Sequence, residues 1–133
     1  MILVDTSVII AWMDASHPDH SDCLRALNQL AGQDQLAVSS VTYAELAAGA
    51  RTQEGVDDDL QAFHRLDLDF DAARRAGQRF RQYRPPKLDN SVLPDFFIRA
   101  QAVVSNLRHF TNDHRRLAVW PDVDFIFPEN LPS

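Results

Sequence analysis

Hydrophobic residues in this chain form short runs that alternate with longer segments of helical periodicity. Runs of three to five mostly apolar residues predict strands that are buried in a sheet. We place these strands at residues 2–4, 36–38, 66–68, 107–110 and 123–127. Apolar residues spaced three or four positions apart predict helices in the segments between the strands. We expect helices to begin near residue 8 and to span residues 18–31, 41–50, 57–65, 71–83 and 94–105, with a loop at 87–93.

Strands and helices alternate along nearly the whole chain. This order is typical of a parallel sheet with helices on both faces, because each connection between parallel strands crosses one face of the sheet. We therefore predict an α/β fold, a three-layer α/β/α sandwich around a central, mainly parallel sheet. A length of 133 residues suits one domain, which we assign to residues 1–133. In such sheets, ligands bind at the edge where the carboxyl ends of the strands meet.

Cysteine content and hydropathy exclude several classes of protein. Cys23 is the only cysteine, so the chain has neither an internal disulfide framework nor a metal site built from several thiolates. It lies in the apolar pattern of the helix at 18–31, where we expect it to pack as a small hydrophobic residue. The amino-terminal residues lack the basic flank of a signal peptide, and no apolar run has the length of a membrane span. We expect a cytoplasmic protein that does not associate with a membrane.

The charged residues are distributed unevenly along the chain. The net charge is −6, but ten of the 13 basic residues lie between Arg74 and Arg116. That segment carries a formal charge of +7, and the rest of the chain carries −13. Because charges act over about 8–10 Å in physiological salt, a local basic surface can contact phosphates despite the acidic total. The segment from Arg74 to Lys87 can therefore face the phosphates of a ligand, dock an acidic partner or form a solvated helix face.

Two acidic residues follow the first two predicted strands. Asp5 ends the first strand, where a carboxylate after an apolar run is costly unless a cation compensates its charge. The alternative is that Asp5 caps the helix that follows it. Glu45 comes a few residues after the second strand and therefore lies near the same edge of the sheet. The alternative for Glu45 is a capping box, in which its side chain bonds to the amide of Thr42.

Two further acidic residues flank the fourth predicted strand. Asp95 opens the helix that precedes this strand, and the apolar residues after it indicate a partly buried helix start. The alternative is that Asp95 only stabilises the helix dipole or pairs with Arg99 one turn later. Asp113 follows the strand itself, where it and Thr111 can also form a simple turn.

The combination of these four acids favours a metal site over four separate structural roles. A parallel sheet brings the ends of its strands to one edge, so the carboxylates of Asp5, Glu45, Asp95 and Asp113 would repel one another unless cations lie between them. Hard divalent ions such as Mg²⁺ and Mn²⁺ prefer oxygen ligands of this kind. Ions bound in this way activate water and stabilise the charge that develops when a phosphodiester is cleaved.

The four acids lie in sequence blocks that resemble a known family. These blocks are VDTSVI at 4–9, YAEL at 43–46, PDFFIRA at 94–100 and TND at 111–113. In order and spacing they resemble the four signature blocks of PIN-domain nucleases, and most of all those of VapC-type toxins from bacterial and archaeal toxin–antitoxin pairs. The resemblance extends over residues 1–127. It implies a PIN-like fold and Mg²⁺- or Mn²⁺-dependent endoribonuclease activity on an RNA substrate, leaving 5′-phosphate and 3′-hydroxyl ends.

The resemblance also implies roles for individual residues. Those that match the core metal-binding acids of the family are Asp5, Glu45 and Asp95, and Asp113 matches a fourth, more variable acid. Hydroxyl residues match supports beside the metal, and these are Thr111 and Ser7. Toxins of the family usually form homodimers and are blocked by a cognate antitoxin, so the resemblance implies both of these partners.

Around the third block the chain departs from the family pattern. Residues 85–93 form a longer and more polar lead-in to Asp95 than is usual. Larger side chains replace small ones at several of the following positions, namely Phe96, Phe97, Arg99 and Gln101. These departures concern the local geometry and the fit of the substrate, since the acids themselves are present.

Two rival functions remain open on the sequence alone. The first is an aspartyl phosphotransferase that uses Asp5 as its nucleophile. The haloacid-dehalogenase pattern has a second aspartate two residues later, and this chain has Ser7 there. The second is a PIN-like module that binds RNA or protein and does not cleave RNA. The presence of all four acids argues against this second function.

Overall fold

A five-stranded sheet forms the centre of the molecule. The computed structural model describes residues 1–49, 51–83 and 92–132. Within these residues the strands are β1 (Ile2–Val4), β2 (Leu36–Ser39), β3 (His64–Leu66), β4 (Arg108–Phe110) and β5 (Phe125–Ile126). Their order across the sheet is β3-β2-β1-β4-β5, and every pairing is parallel. All the strands therefore end at the same edge of the sheet, and β1 ends at its centre.

In the described ranges, six helices connect and cover the strands. They are α1 (Thr6–Met13), α2 (His20–Ala31), α3 (Ser40–Ala47), α4 (Gln53–Asp59), α5 (Phe70–Tyr83) and α6 (Leu93–Val104). Two short 3₁₀ segments follow at Leu117–Val119 and Pro128–Asn130. No helix in the described ranges has the length and apolarity needed to cross a membrane.

Both faces of the central strand are covered, as a three-layer sandwich requires. Ile2 and Val4 pack in one core cluster with side chains of α1 and α2. Because successive side chains of a strand point to opposite faces, Leu3 packs on the other side, with Ile98 of α6. A strand that is buried on both faces reads as a continuous apolar run. The predicted α/β/α architecture with a parallel sheet is confirmed.

An aromatic cluster joins α5 and α6 to the loop before β5. The ring of Phe96 is fully buried and lies 5.4–5.7 Å from the rings of Phe80, Tyr83 and Trp120. This packing fixes the first turn of α6, which carries Asp95. The bulk of Phe96, which departs from the family pattern, is therefore used in the core.

The structure differs from the sequence prediction between residues 53 and 68. The helix predicted at 57–65 is α4, which begins at Gln53 because the hydroxyl of Thr52 accepts a hydrogen bond from the amide of Gly55. The strand predicted at 66–68 is β3, which spans His64–Leu66. It is an edge strand with exposed polar residues, so an apolar run does not mark it.

Some predicted features fall outside the described residues. They are residues 87–91 of the loop predicted at 87–93, including Asp89 and Lys87, and the basic residue Arg84. Leu93, predicted to end that loop, instead begins α6.

Cys23 packs in the core, as its sequence context predicts. It is fully buried, and burial, with smaller contributions from Asp19 and Asp22, raises the pKa of its thiol to about 11. A thiol with so high a pKa is protonated at neutral pH, so Cys23 has a packing role.

Replacing Phe96 tests the contribution of the aromatic cluster. We expect Phe96→Ala to lower the free energy of unfolding by about 3–5 kcal/mol, because it removes a buried ring and leaves a cavity. Urea unfolding followed by circular dichroism measures this change. Phe70→Ala is the matched control, since Phe70 is 94% exposed and its loss should change stability by less than about 0.5 kcal/mol. Similar losses for the two variants would contradict the assignment of the core.

Candidate active site at the carboxyl edge of the sheet

All four predicted acids lie on elements that begin or end at the carboxyl edge of the sheet. Asp5 directly follows β1, and Glu45 lies on α3, which directly follows β2. Asp95 is in the first turn of α6, and Asp113 follows β4. Burial is the main cause that raises the pKa values of Glu45 and Asp95, and the charge of Asp5 raises both further. The edge therefore carries a concentrated negative charge.

Asp5 is buried and held by two hydroxyl groups. Only 5% of its surface is exposed. Its Oδ2 accepts hydrogen bonds from Ser7 Oγ at 2.7 Å and from Thr111 Oγ1 at 2.9 Å. Asp5 occupies the N-cap position of α1, but its side chain makes no capping hydrogen bond there. The alternative of a capping role for its carboxylate is therefore wrong, and the two hydroxyl residues do lie beside it.

Glu45 reaches back to the first turn of α1. Its Oε1 accepts a hydrogen bond from Thr6 Oγ1 at 2.8 Å, and that hydroxyl is also 2.9 Å from Thr42 Oγ1. The N-cap of α3 is Ser39, whose side chain accepts from the amide of Val41, so the capping box proposed for Thr42 and Glu45 is wrong. Although Glu45 is exposed as a whole residue, burial of its carboxylate is the main cause that raises its pKa.

Asp95 pairs with an arginine from the loop after β4. Its Oδ2 accepts a hydrogen bond from Nη2 of Arg116 at 3.1 Å. The alternative pairing with Arg99 is not observed, because the Arg99 guanidinium donates to the backbone carbonyls of Asp113 and Arg115. Burial raises the pKa of Asp95, and the charges of Asp5 and Asp113 raise it further.

Asp113 is the acid with the most complete set of donors. Its two carboxylate oxygens accept from Nε and Nη2 of Arg115, both at 3.0 Å, and its Oδ1 also accepts from the Arg115 amide. Burial acts to raise the pKa of Asp113, but these hydrogen bonds and the charge of Arg115 outweigh it and hold the pKa below its usual range. The Asp113 amide donates to Thr111 Oγ1, so the predicted turn is also present.

Three buried polar residues lie near the site, and the contacts that they make were not predicted from the sequence, which offered only a pairing of Arg99 with Asp95. Arg99 is 2% exposed, and its guanidinium lies 5.0 Å from the ring centre of Phe125. Gln101 accepts a hydrogen bond from Ser39 and donates to the carbonyl of Asp67. His109 lies with its Nε2 atom 3.9 Å from Asp5 Oδ1. The only signal in the sequence was the polarity of Arg99 and Gln101 within an otherwise apolar helix start.

The donor set fits a hard divalent cation, although the side chains do not yet form a complete site. Within the described ranges, no group of three or more His, Cys, Asp or Glu side chains is spaced to hold a metal ion as it stands. However, burial raises the pKa values of both Glu45 and Asp95, and the charge of Asp5 raises both further, so a cation at this edge would favour their ionised forms. Carboxylate oxygens in such surroundings are the ligands that Mg²⁺ and Mn²⁺ prefer.

Comparison with known proteins identifies similar sequences and folds. The family model described as PIN domain matches residues 2–124. Ribonuclease VapC26 of Mycobacterium tuberculosis is 28% identical over 123 residues, which cover 83% of this chain and 90% of that protein.

Two solved structures share the fold at lower identity. One is VapBC2 from Rickettsia felis bound to a promoter DNA fragment, with 20% identity and a TM-score of 0.72 over 96% of this chain and 98% of that one. The other is a toxin–antitoxin complex from Klebsiella pneumoniae, with 24% identity, the same TM-score and the same coverage. These two likenesses support the fold alone.

The raised pKa of Glu45 predicts how its replacement changes stability with pH. The folded state favours the protonated carboxyl, so the ionised form destabilises the fold above the folded pKa. Below the ordinary pKa of 4.5 both states are protonated and this penalty disappears. In EDTA, we expect Glu45→Gln to be more stable than the parent at pH 7, with the difference vanishing in acid. Urea unfolding at several pH values measures it.

Asp57 provides a control of opposite sign for that experiment. Hydrogen bonds from Arg65 and Tyr43 hold the pKa of Asp57 below its usual range, so its ionised form stabilises the fold. Asp57→Asn should therefore be less stable than the parent at pH 7 and match it in acid. If Glu45→Gln behaved like Asp57→Asn, the Glu45 carboxylate would not lie in an uncompensated anionic pocket.

Proposed function

Because the chain belongs to the PIN domain family, we propose that it is a metal-dependent endoribonuclease and the toxin of a type II toxin–antitoxin pair. The observation that carries this proposal is the placement of four acids, Asp5, Glu45, Asp95 and Asp113, on elements that begin or end at one edge of the sheet. The relative from M. tuberculosis is named as a ribonuclease, which supports the activity. The solved structure from K. pneumoniae is described as a toxin–antitoxin complex, and we extend an antitoxin partner to this chain as part of the proposal.

Three carboxylates form the proposed metal site. They belong to Asp5, Glu45 and Asp95, and a bound Mg²⁺ or Mn²⁺ would activate a water molecule and stabilise the charge of the cleaved phosphodiester. Ser7 and Thr111 both donate to Oδ2 of Asp5, which fixes the orientation of the carboxylate. Within the described residues Oδ1 of Asp5 accepts no hydrogen bond, so this oxygen is the one we assign to the metal. Thr6 orients Glu45 in the same way.

Asp113 contributes to the site in a different manner. Both of its oxygens are engaged by Arg115, and its pKa lies below the usual range. We assign it to the edge of the metal site, where it adds negative charge and holds the loop after β4. Its replacement should therefore cost less activity than replacement of Asp5.

The exposed arginines of α5 are the proposed contacts to the RNA backbone. Arg79 is engaged within the protein, since it pairs with Asp122 and lies over the ring of Trp120. Arg75 and Arg81 are exposed on the same helix. Guanidinium groups on an exposed helix suit phosphate oxygens, and they can equally dock an acidic antitoxin segment. A homodimer and a location in the cytoplasm, where RNA is available, complete the proposal.

Replacing Asp5 tests the proposed activity. The purified chain, freed of any bound protein, should cleave RNA with Mg²⁺ or Mn²⁺ and not with EDTA. We expect Asp5→Asn to reduce cleavage at least about 100-fold, beyond the 10–100-fold typical of residues that only support metal ligands. Gel analysis of labelled RNA measures the rate, and circular dichroism verifies the fold.

Asp113→Asn serves as the comparison, with an expected loss smaller than that of Asp5→Asn. Full activity in a folded Asp5→Asn variant would contradict the assignment of the site. A folded parent chain that binds RNA but never cleaves it would favour the non-catalytic alternative, and an acyl-phosphate trapped on Asp5 would favour the phosphotransferase.

A further inference from the structure

Arg116 places a positive charge inside the candidate active site. Its Nη2 donates to Asp95 Oδ2 at 3.1 Å, and its side chain is only 13% exposed. Its Nε is buried and has no hydrogen-bond partner in the part of the chain that the structure describes. In a surface salt bridge, water satisfies the donors that the partner leaves free. Here the guanidinium is buried in the site, and its Nε–H group donates to no group of the described residues.

The backbone of Arg116 is held in an unfavourable conformation. Its φ of 59° and ψ of 29° lie in the left-handed region, which residues with a Cβ rarely adopt. Such strain persists where the surrounding structure imposes it. The preceding loop is fixed by Arg99, which donates to the carbonyls of Asp113 and Arg115. The buried Arg99 therefore anchors the loop that directs Arg116 towards Asp95.

We propose that Arg116 is an internal counter-ion that competes with a divalent cation for Asp95. The inference rests on the proposed function, because it concerns the same metal site. A guanidinium that donates to a carboxylate oxygen neutralises part of its charge and repels a second cation brought to the same group. A metal that binds Asp95 therefore has to overcome this repulsion or displace Arg116 from Oδ2. The chain binds Mg²⁺ or Mn²⁺ more weakly than its carboxylates alone would allow.

Arg115 is a close control for the charge of Arg116. It is the neighbouring residue and carries the same charge, but it pairs with Asp113 and its side chain is 69% exposed. Removing either arginine changes the net charge of the loop equally. Only removal of Arg116 frees the carboxylate of Asp95.

Direct binding of Mn²⁺ tests this competition without any activity assay. The full chain is treated with EDTA, exchanged into chelator-free buffer and titrated with Mn²⁺, while electron paramagnetic resonance measures the free ion. We expect Arg116→Gln to bind Mn²⁺ about three- to tenfold more tightly than the parent, as expected for loss of a partly buried competing pair. We expect less than half of this gain for Arg115→Gln.

A second variant, Arg116→Asn, keeps the inference testable if Arg116→Gln does not fold. Asparagine tolerates the left-handed region better than most residues, so Arg116→Asn should fold and show the same gain in affinity. Equal Mn²⁺ affinities for the parent and both Arg116 variants would overturn the inference. A gain in Arg115→Gln as large as that in Arg116→Gln would also overturn it, because loop charge alone would then explain the effect.

Asp5→Asn separates this inference from the proposed function. If the parent binds Mn²⁺, Asp5→Asn does not, and the Arg116 variants match the parent, then only the role of Arg116 is wrong. If neither the parent nor any Arg116 variant binds Mn²⁺ in a manner that depends on Asp5, both the metal site and the competition are wrong.

Discussion

Repulsion between carboxylates at one edge of the sheet is the interaction that the other contacts of the site compensate. Parallel pairing of all five strands brings their carboxyl ends together, and the chain places an acid at or near three of these ends. Each acid is then partly withdrawn from water by the helices that cover the sheet. The fold tolerates this arrangement because hydroxyl groups orient Asp5 and Glu45, while guanidinium groups face Asp95 and Asp113.

The loop after β4 carries most of the compensation for this negative charge. Arg115 and Arg116 are adjacent in sequence but face different acids, and the backbone of Arg116 lies in the left-handed region. The buried Arg99 fixes this loop, because its guanidinium donates hydrogen bonds to the carbonyls of Asp113 and Arg115. The large, polar residues that depart from the family pattern around Asp95 are thus part of the site's support. The buried Arg99, at a position where the family usually has a small residue, holds this loop in position.

The sheet and the placement of the acids could be predicted from sequence because their signals are local. The apolar run before Asp5 marks a buried strand, and a parallel sheet follows from the alternation of elements. The contacts of each acid could not be predicted in the same way, since their partners are remote. Glu45 accepts from Thr6, 39 residues earlier, where the local pattern suggested a capping box with Thr42. Edge strand β3 was misplaced because its exposed side chains give no apolar signal.

The central claim is that Asp5, Glu45 and Asp95 can bind one divalent cation together. In this structure Asp95 instead accepts a hydrogen bond from Arg116. Anomalous scattering from crystals of the full chain soaked in Mn²⁺ measures this most directly. We predict a peak of anomalous density in contact with carboxylate oxygens of all three residues. A Mn²⁺ peak elsewhere in the protein, with none between these carboxylates, would contradict it.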